Sequence, residues 1–279
     1  MTDAGVLPTP ADAPVAAAMA ALDPLLLATV HLATFAGSHG LTTASGFFFR
    51  RERRLYLVSS RHVFIDDDSG HHPDRIEIEL HADPGNLANV TVLSVLLYRD
   101  GLANWRQGAD DGGDIDVAVL EIDPTALPET VELAAFTPGN LPGASDVVPI
   151  GQPVLIPGFP LGFHDALHHF PVVRQGVVAS PYGWRFQGQG WFLTDARTHR
   201  GISGAPVVVA APGRQGLPWL LLGVHSTRFD MGGRDLLEDE SLGLNATWYP
   251  DIITTLTQPA APAPPATPTA PAPRKASVG

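Results

Sequence analysis

Short β-rich apolar runs, each closed off by glycine, proline or a polar turn, recur along most of the chain and set the tightest limit on its fold. Leu25–Phe35, Gly46–Arg50, Leu55–Ser59, Arg75–Leu80, Val90–Tyr98 and Asp116–Ile122 form a first set. Pro153–Pro157, Val172–Ser180, Gly190–Thr194, Ala205–Ala210, Trp219–His225 and Leu242–Thr247 form a second. No long amphipathic helix lies between consecutive runs, so a doubly wound parallel sheet is excluded and an α/β-hydrolase is disfavoured. The 28 glycines and 27 prolines are what a chain with many turns requires. The pattern predicts an all-β protein of two antiparallel six-stranded β-barrels, residues 25–135 and 148–257. Residues 136–147, around Phe136–Ser145 (FTPGNLPGAS), read as the linker, and Pro250–Leu256 as a short C-terminal helix with proline near its first turn.

The two ends have a different character. Residues 1–24 are Ala/Pro-rich and read as a loose leader with a short helix over Pro14–Leu22. Residues 258–279 form a Pro/Ala-rich tail with almost no large apolar side chain, which cannot offset its own ordering entropy and is expected to be disordered. The apolar part of the leader is preceded by no Lys or Arg, carries Asp3, Asp12 and Asp23, and is interrupted by Pro24, so it does not read as a secretory signal. No window approaches the length of a membrane span. The absence of cysteine removes disulfides, a thiolate nucleophile and Cys-ligated zinc. Together these features lead to the expectation of a cytoplasmic protein that does not engage a membrane. A formal charge of -12 argues against a nucleic-acid partner, which needs a basic face.

Three motifs carry chemistry. In Gly201-Ile202-Ser203-Gly204-Ala205-Pro206 a serine flanked by glycines precedes an apolar strand. A tight turn there projects the hydroxyl and lets the backbone N–H groups of Gly201 and Ser203 converge as an oxyanion hole; an ordinary hairpin turn would use the same residues. In Leu57-Val58-Ser59-Ser60-Arg61-His62 a strand runs into small residues and then a histidine. In Asp114-Ile115-Asp116-Val117-Ala118-Val119-Leu120 an aspartate opens an apolar strand, where a buried carboxylate needs a partner. Taken in order, His62, Asp116 and Ser203 supply a base, a carboxylate to orient it and a nucleophile. His62 and Asp116 fall in the first strand set and Ser203 in the second, so the site belongs where the two sets meet.

These motifs, with Gly158-Phe159-Pro160-Leu161-Gly162 and Gly223-Val224-His225-Ser226, resemble the trypsin-like serine peptidases of the chymotrypsin clan, in particular the compact bacterial members without disulfides. The resemblance covers about Leu25 to Leu256. It implies the chymotrypsin-like pair of barrels, a polypeptide substrate, no cofactor, and cleavage through an acyl-enzyme on Ser203. It also places Ser226 where the family carries a serine that bonds to the catalytic aspartate, on a segment that pairs with the substrate backbone. Thr198 and His225 match positions that hold a hydroxyl and an imidazole in relatives cleaving after Glu or Gln. Arg197 would add positive charge there if it turns inward. No aspartate occupies the base of the pocket, which disfavours cleavage after Lys or Arg. A binding module and a small-ester hydrolase on the same fold are the competing readings.

The remaining polar clusters are set aside at this level. His164, His168 and His169, with Asp165, could present imidazoles to zinc, but no third ligand is evident nearby and the segment reads as a surface loop beside the cleft. Asp66–Asp68 and Asp110–Asp111 lack the alternating oxygens of a calcium loop. No phosphate-binding glycine loop opens a helix, and oligomeric state is not readable. One departure from the family pattern yields a test. Many secreted members carry an aspartate just before the catalytic serine to pair with a newly cut N-terminus, whereas this chain has Ile202. The full-length chain is therefore expected to turn over substrate without trimming. An assay of intact against leader-trimmed protein checks this, and an inert intact chain that trimming switches on would refute it.

Overall fold

Where polar and apolar residues alternate along a strand, one face is buried and the other is not. Strand β4 (Arg75–His81, RIEIELH) follows that rule, with Ile76, Ile78 and Leu80 buried and the intervening residues only partly covered. The computed structural model describes residues 22–230 and 241–258. Residues 1–21 of the leader, and with them all but Leu22 of the helix expected over Pro14–Leu22, lie outside the described residues, as does the tail from residue 259.

Strand β4 belongs to an antiparallel sheet with β1 (Thr29–Ala36), β2 (His39–Arg51), β3 (Arg54–Ser59), β5 (Val90–Leu96), β8 (Trp105–Asp110) and β9 (Gly113–Ile122). The order is β5-β4-β1-β2-β3-β9-β8. A two-stranded ribbon, β6 (Tyr98–Arg99) and β7 (Leu102–Ala103), intervenes in sequence between β5 and β8. The second set comprises β10 (Pro153–Gly158), β11 (Val172–Val178), β12 (Trp191–Ala196), β13 (Pro206–Ala210), β14 (Trp219–Asp230) and β15 (Ser241–Trp248). These close into a barrel of order β10-β11-β12-β15-β14-β13. The all-β class and the two antiparallel strand sets are as expected, with one refinement: the first set has seven strands in an open order instead of a closed six.

Several boundaries differ for local reasons. The expected strand over Leu25–Phe35 begins only at Thr29, because Leu25–Ala28 forms a single helical turn, α1. The Asp23 carboxylate accepts from the Leu25 N–H at 2.9 Å, and Thr29 Oγ1 donates back to the Leu25 carbonyl at 3.1 Å. Strand β2 starts at His39, well before Gly46, because polar Thr42 and Thr43 pair with β1 on an exposed stretch. Strand β8 (WRQGAD) carries too few apolar residues for the alternation rule to reveal it.

Phe47-Phe48-Phe49 shows how one strand serves two cores. Phe48 packs with Leu32, Leu57, Ile78 and Leu120 inside the first set. Phe47 and Phe49, on the opposite face, join Val58 and Val119 with Val208, Leu221, Val224 and Trp248 of the second set. The two strand sets thus share one continuous apolar core, and Val154, Ile156, Phe192, Val207 and Leu222 fill the barrel.

The last described residues return to the first set. Helix α3 (Asp251–Leu256), begun at Pro250, buries Ile253 and Leu256 against it. Arg51 Nη1 donates to the Thr254 carbonyl at 2.7 Å, and Arg106 Nη1 to the carbonyls of Leu256 and Gln258 at 3.0 Å each. Guanidinium donors suit the unpaired carbonyls at a helix C-terminus. Among the described residues no helix is long and apolar enough to cross a membrane.

The connection between the sets is pinned by one fully buried side chain, Asn140. Its Oδ1 accepts from the Thr137 N–H at 2.9 Å, while its Nδ2 donates to the carbonyls of Leu217 and Trp219 at 2.8 and 2.9 Å. Asn140→Ala strands these groups away from water. It is expected to lower unfolding free energy in urea by roughly 3 kcal/mol, and a change within noise would show that the two carbonyls find other partners.

Candidate active site

The turn that carries Ser203 depends on two glycines. Gly201 and Gly204 have φ of 90° and 86°, where side chains are rarely tolerated. Space excludes them as well. A Cβ on Gly204 would stand 2.1 Å from Ser59 Oγ, and one on Gly201 would stand 2.5 Å from the Phe159 carbonyl oxygen. Both obstacles are fixed by packing, so the turn can approach its supports only without side chains.

Those supports come largely from the other strand set. Ser45, buried on β2, donates its N–H to the Ser203 carbonyl at 3.0 Å and its Oγ–H to the Gly201 carbonyl at 2.7 Å. The same Oγ accepts the Phe159 N–H at 2.9 Å. Ser59 Oγ donates to the Ser45 carbonyl at 2.7 Å, and Ser60 Oγ donates to the His225 carbonyl at 3.1 Å. On its other side the turn is held by the Leu161 N–H, which donates to the Arg200 carbonyl at 2.6 Å. With its carbonyls thus occupied, the turn keeps two donors in reserve: among the described residues neither the Gly201 nor the Ser203 N–H has an acceptor.

His62 lies in a single helical turn, α2 (Arg61–Phe64), at the exit of β3. Asp116 on β9 accepts its backbone N–H at 2.9 Å through Oδ1 and its ring at 2.8 Å through Oδ2. A carboxylate only accepts, so the ring proton sits on Nδ1 and Nε2 keeps its lone pair. Ser226 Oγ donates to the same Oδ2. Arg61 fastens α2 by donating to Gln107 on β8 at 2.6 Å and pairing with Asp114 on β9 at 3.1 Å. The two aspartates of the Asp114–Asp116 motif therefore have separate partners.

Ser203 Oγ donates to the Ser226 carbonyl at 3.3 Å, and among the described residues no hydrogen bond joins it to His62. All three side chains nevertheless line one cleft of about 630 Å³, with Asp66, Thr198, Arg200, His225 and Ser226. Trp191, Phe229 and Trp248 give it an apolar wall. Burial alone would lower the His62 pKa, but the hydrogen bond and charge of Asp116, helped by the charge of Asp66, outweigh it and raise the pKa above its ordinary value. His225 is pushed down to about 4 by burial and by the neighbouring His62, against a small opposing effect of Asp116, and so is neutral at pH 7.

The pocket residues expected from the sequence divide. Thr198 and His225 are buried at the cleft, but the Thr198 hydroxyl proton is already given to Asn245 Oδ1. Arg197 does not turn inward: it is exposed and outside the cleft lining, since Thr198 points in and neighbours in extended chain alternate. Arg200 and Arg228 supply the guanidinium groups of the lining instead. His164 and His169 do not line the cleft; they pack toward β1 and β4. Ser45 and Asn245 were missed by sequence reading, and Asp66 was weighed only as part of a calcium loop and not placed at the cleft. Only Ser45 had a local signal, a small polar residue beside Gly46 where a three-phenylalanine strand begins.

Comparison with known proteins follows the same lines. Residues 44–214, more than half of the chain, match the trypsin-like peptidase domain. Among solved structures, the crystal structure of the serine endoprotease from Yersinia pestis is similar at 19% identity with a TM-score of 0.49. The similarity covers 82% of this chain and 61% of that one, so this chain spans less than two thirds of that protein's length. No curated protein matches.

Removing the Ser45 hydroxyl leaves the Gly201 carbonyl and the Phe159 N–H unpaired in a dry interior. Ser45→Ala is expected to cost roughly 2–3 kcal/mol in urea unfolding, although it touches neither His62 nor Asp116. Unchanged stability would show that the turn does not lean on Ser45.

Proposed function

The chain belongs to the family of trypsin-like peptidase domains, and we propose that it is a serine endopeptidase that cleaves polypeptides through an acyl-enzyme on Ser203. The observation that carries this reading is the 2.8 Å bond between His62 and Asp116 in a cleft that also holds Ser203. In the proposed mechanism, His62 Nε2 takes the proton of Ser203 Oγ as the oxygen attacks the substrate carbonyl. The Gly201 and Ser203 N–H groups stabilise the oxyanion, and His62 returns the proton to the departing amine. Water, deprotonated by His62 in turn, then releases the acyl group. Asp116 orients the imidazole and stabilises its charged form, with Ser226 fixing the carboxylate. The units flanking the cleft are residues 25–135 and 148–257.

The resting bond from Ser203 to the Ser226 carbonyl gives substrate a direct role. A peptide paired along this segment offers an N–H to the same carbonyl. It thereby displaces Ser203 Oγ, which turns to His62 Nε2. The two bonds compete for one acceptor, so alignment of the nucleophile is tied to occupancy of the cleft.

For the residue preceding the cleaved bond, the proposal is glutamine, with glutamate second at neutral pH. Of the pair expected at the pocket, Thr198 has committed its proton to Asn245 and His225 is the one left to donate. A neutral imidazole can give an N–H to a carboxamide oxygen without the proton uptake that a strong bond to carboxylate demands.

A fluorophosphonate probe is expected to label the full chain at Ser203, and Ser203→Ala to abolish labelling. Because His62 must be neutral to act and its pKa is raised, the rate should fall on the acid side with a midpoint above 6.5. Asp66→Asn should move that midpoint down. A folded protein that never labels sinks the catalytic reading, and turnover of simple esters without cleavage of casein or peptides would leave only an esterase. A peptide library is expected to favour Gln, with the preference lost in His225→Ala. Strong cleavage after Phe, Leu or Arg would remove the pocket assignment.

A further inference from the structure

The histidines at 164 and 169 acquire in the fold what their sequence neighbourhood lacks, a carboxylate. Glu79, on the side of β4 away from the core of the first set, lies against the loop that follows β10. One ligand atom from each of Glu79, His164 and His169 falls within 4.8 Å of the others. His169 Nδ1 is 3.0 Å from Glu79 Oε2, and the His164 and His169 ring centroids are 5.2 Å apart. We propose that Glu79, His164 and His169 form a binding site for a borderline-soft divalent cation of the Zn²⁺ class, bridging the first strand set to the loop after β10.

The donor set supports that class. Two imidazoles and one carboxylate suit zinc, and three protein ligands leave the fourth position to water. Hard cations such as Ca²⁺ want six or more oxygens, which this cluster does not offer. Supporting contacts orient the ligands as metal sites require. His164 Nδ1 donates to the Gly162 carbonyl at 2.7 Å, which fixes the tautomer and leaves Nε2 with its lone pair. His31 Nδ1 holds the other oxygen of Glu79 at 3.1 Å. Hydrogen bonding from His31, then from His169, outweighs burial and brings the Glu79 pKa down to about 2, so the carboxylate is charged throughout the working range.

A second, independent observation comes from His31 itself. It is only 9% exposed, and its Nε2 has no hydrogen-bond partner. Its ring stands 5.7 Å from that of His164 and 5.1 Å from that of Phe159. The adjoining cavity, bordered by His31, Glu79, His81 and His169, measures about 10 Å³. It does not reach His164, is walled mostly by apolar side chains, and has room for no more than one water-sized species. The side chains of Glu79 and His169 each remain 26% exposed, which leaves an entry path.

Binding exchanges the hydrogen bond between His169 and Glu79 for a bond from each to the cation, the His169 ring proton moving from Nδ1 to Nε2. The loop so anchored also carries Leu161, whose N–H holds the Arg200 carbonyl beside the Ser203 turn. The site is independent of the proposed peptidase activity, and its test reads binding alone.

Titration of the full chain with Zn²⁺ by calorimetry, and with Co²⁺ by visible absorption, is expected to give one tight site with a tetrahedral cobalt spectrum. His164→Gln and His169→Gln should each weaken binding by at least about tenfold, whereas His62→Gln should leave it unchanged. Both loop substitutions fall on partly exposed side chains, and circular dichroism confirms that the variants are folded. Glu79→Gln provides a third arm that keeps the shape but removes the charge. Absence of binding to the folded parent chain, or binding that survives the loop substitutions and disappears with His62→Gln, overturns the proposal.

Discussion

The turn proposed to carry the nucleophile must hold its hydroxyl and two N–H groups in a fixed arrangement, yet a turn of small residues has little packing of its own to do so. In this protein the rigidity is borrowed from the opposite strand set. Ser45 on β2 takes hold of the carbonyls of Gly201 and Ser203, and Ser59 stands where a side chain on Gly204 would have to be. Ile202 and Gly204 give their N–H groups to the His199 and His225 carbonyls, while those of Gly201 and Ser203 have no acceptor among the described residues. The proposed oxyanion donors are those two N–H groups, and the turn has this shape only when the two strand sets are docked.

The docking relies on apolar contact, since no cysteine is present to staple it. The outer faces of β2, β3 and β9 share a core with β13, β14 and β15, so separating the sets would expose large aromatic side chains such as Phe47, Phe49 and Trp248 to water. Hydrogen bonds across the junction are fewer but directional. The apolar core supplies adhesion, and Ser45, Ser60 and Asn140 supply registry. This division explains why a single hydroxyl is expected to matter more to the geometry of the turn than its share of the contact suggests.

Much of this was legible in the residues. Ser203 announces itself because glycines surround it, and Asp116 because a charge opens an apolar strand. The strand sets were legible wherever one face is apolar, as in β4, and invisible in β8, where WRQGAD has no such face. The open order of the first sheet depends on pairing between distant strands and leaves no local mark. Thr198 could be placed in the pocket, but not its commitment to Asn245, which sits on a strand far along the chain. Arg197 illustrates the cost of ignoring alternation, since one residue's step reverses the direction of a side chain. Glu79 reads as one more polar residue on an alternating strand until the fold brings the histidine loop to it.

The strap formed by α3 adds a temporal consequence. Arg51, Tyr56 and Arg106 of the first set find their partners among residues 254–258. These contacts span much of the sequence, and long-range contacts form last because the intervening chain must first be ordered. During synthesis the first strand set emerges early, while the helix that closes it, Asp251–Leu256, is made after the whole second set. The Ser203 turn likewise waits for both sets to dock. The proposed catalytic site, which needs both sets docked, stays unformed on the nascent chain until the second set has been made.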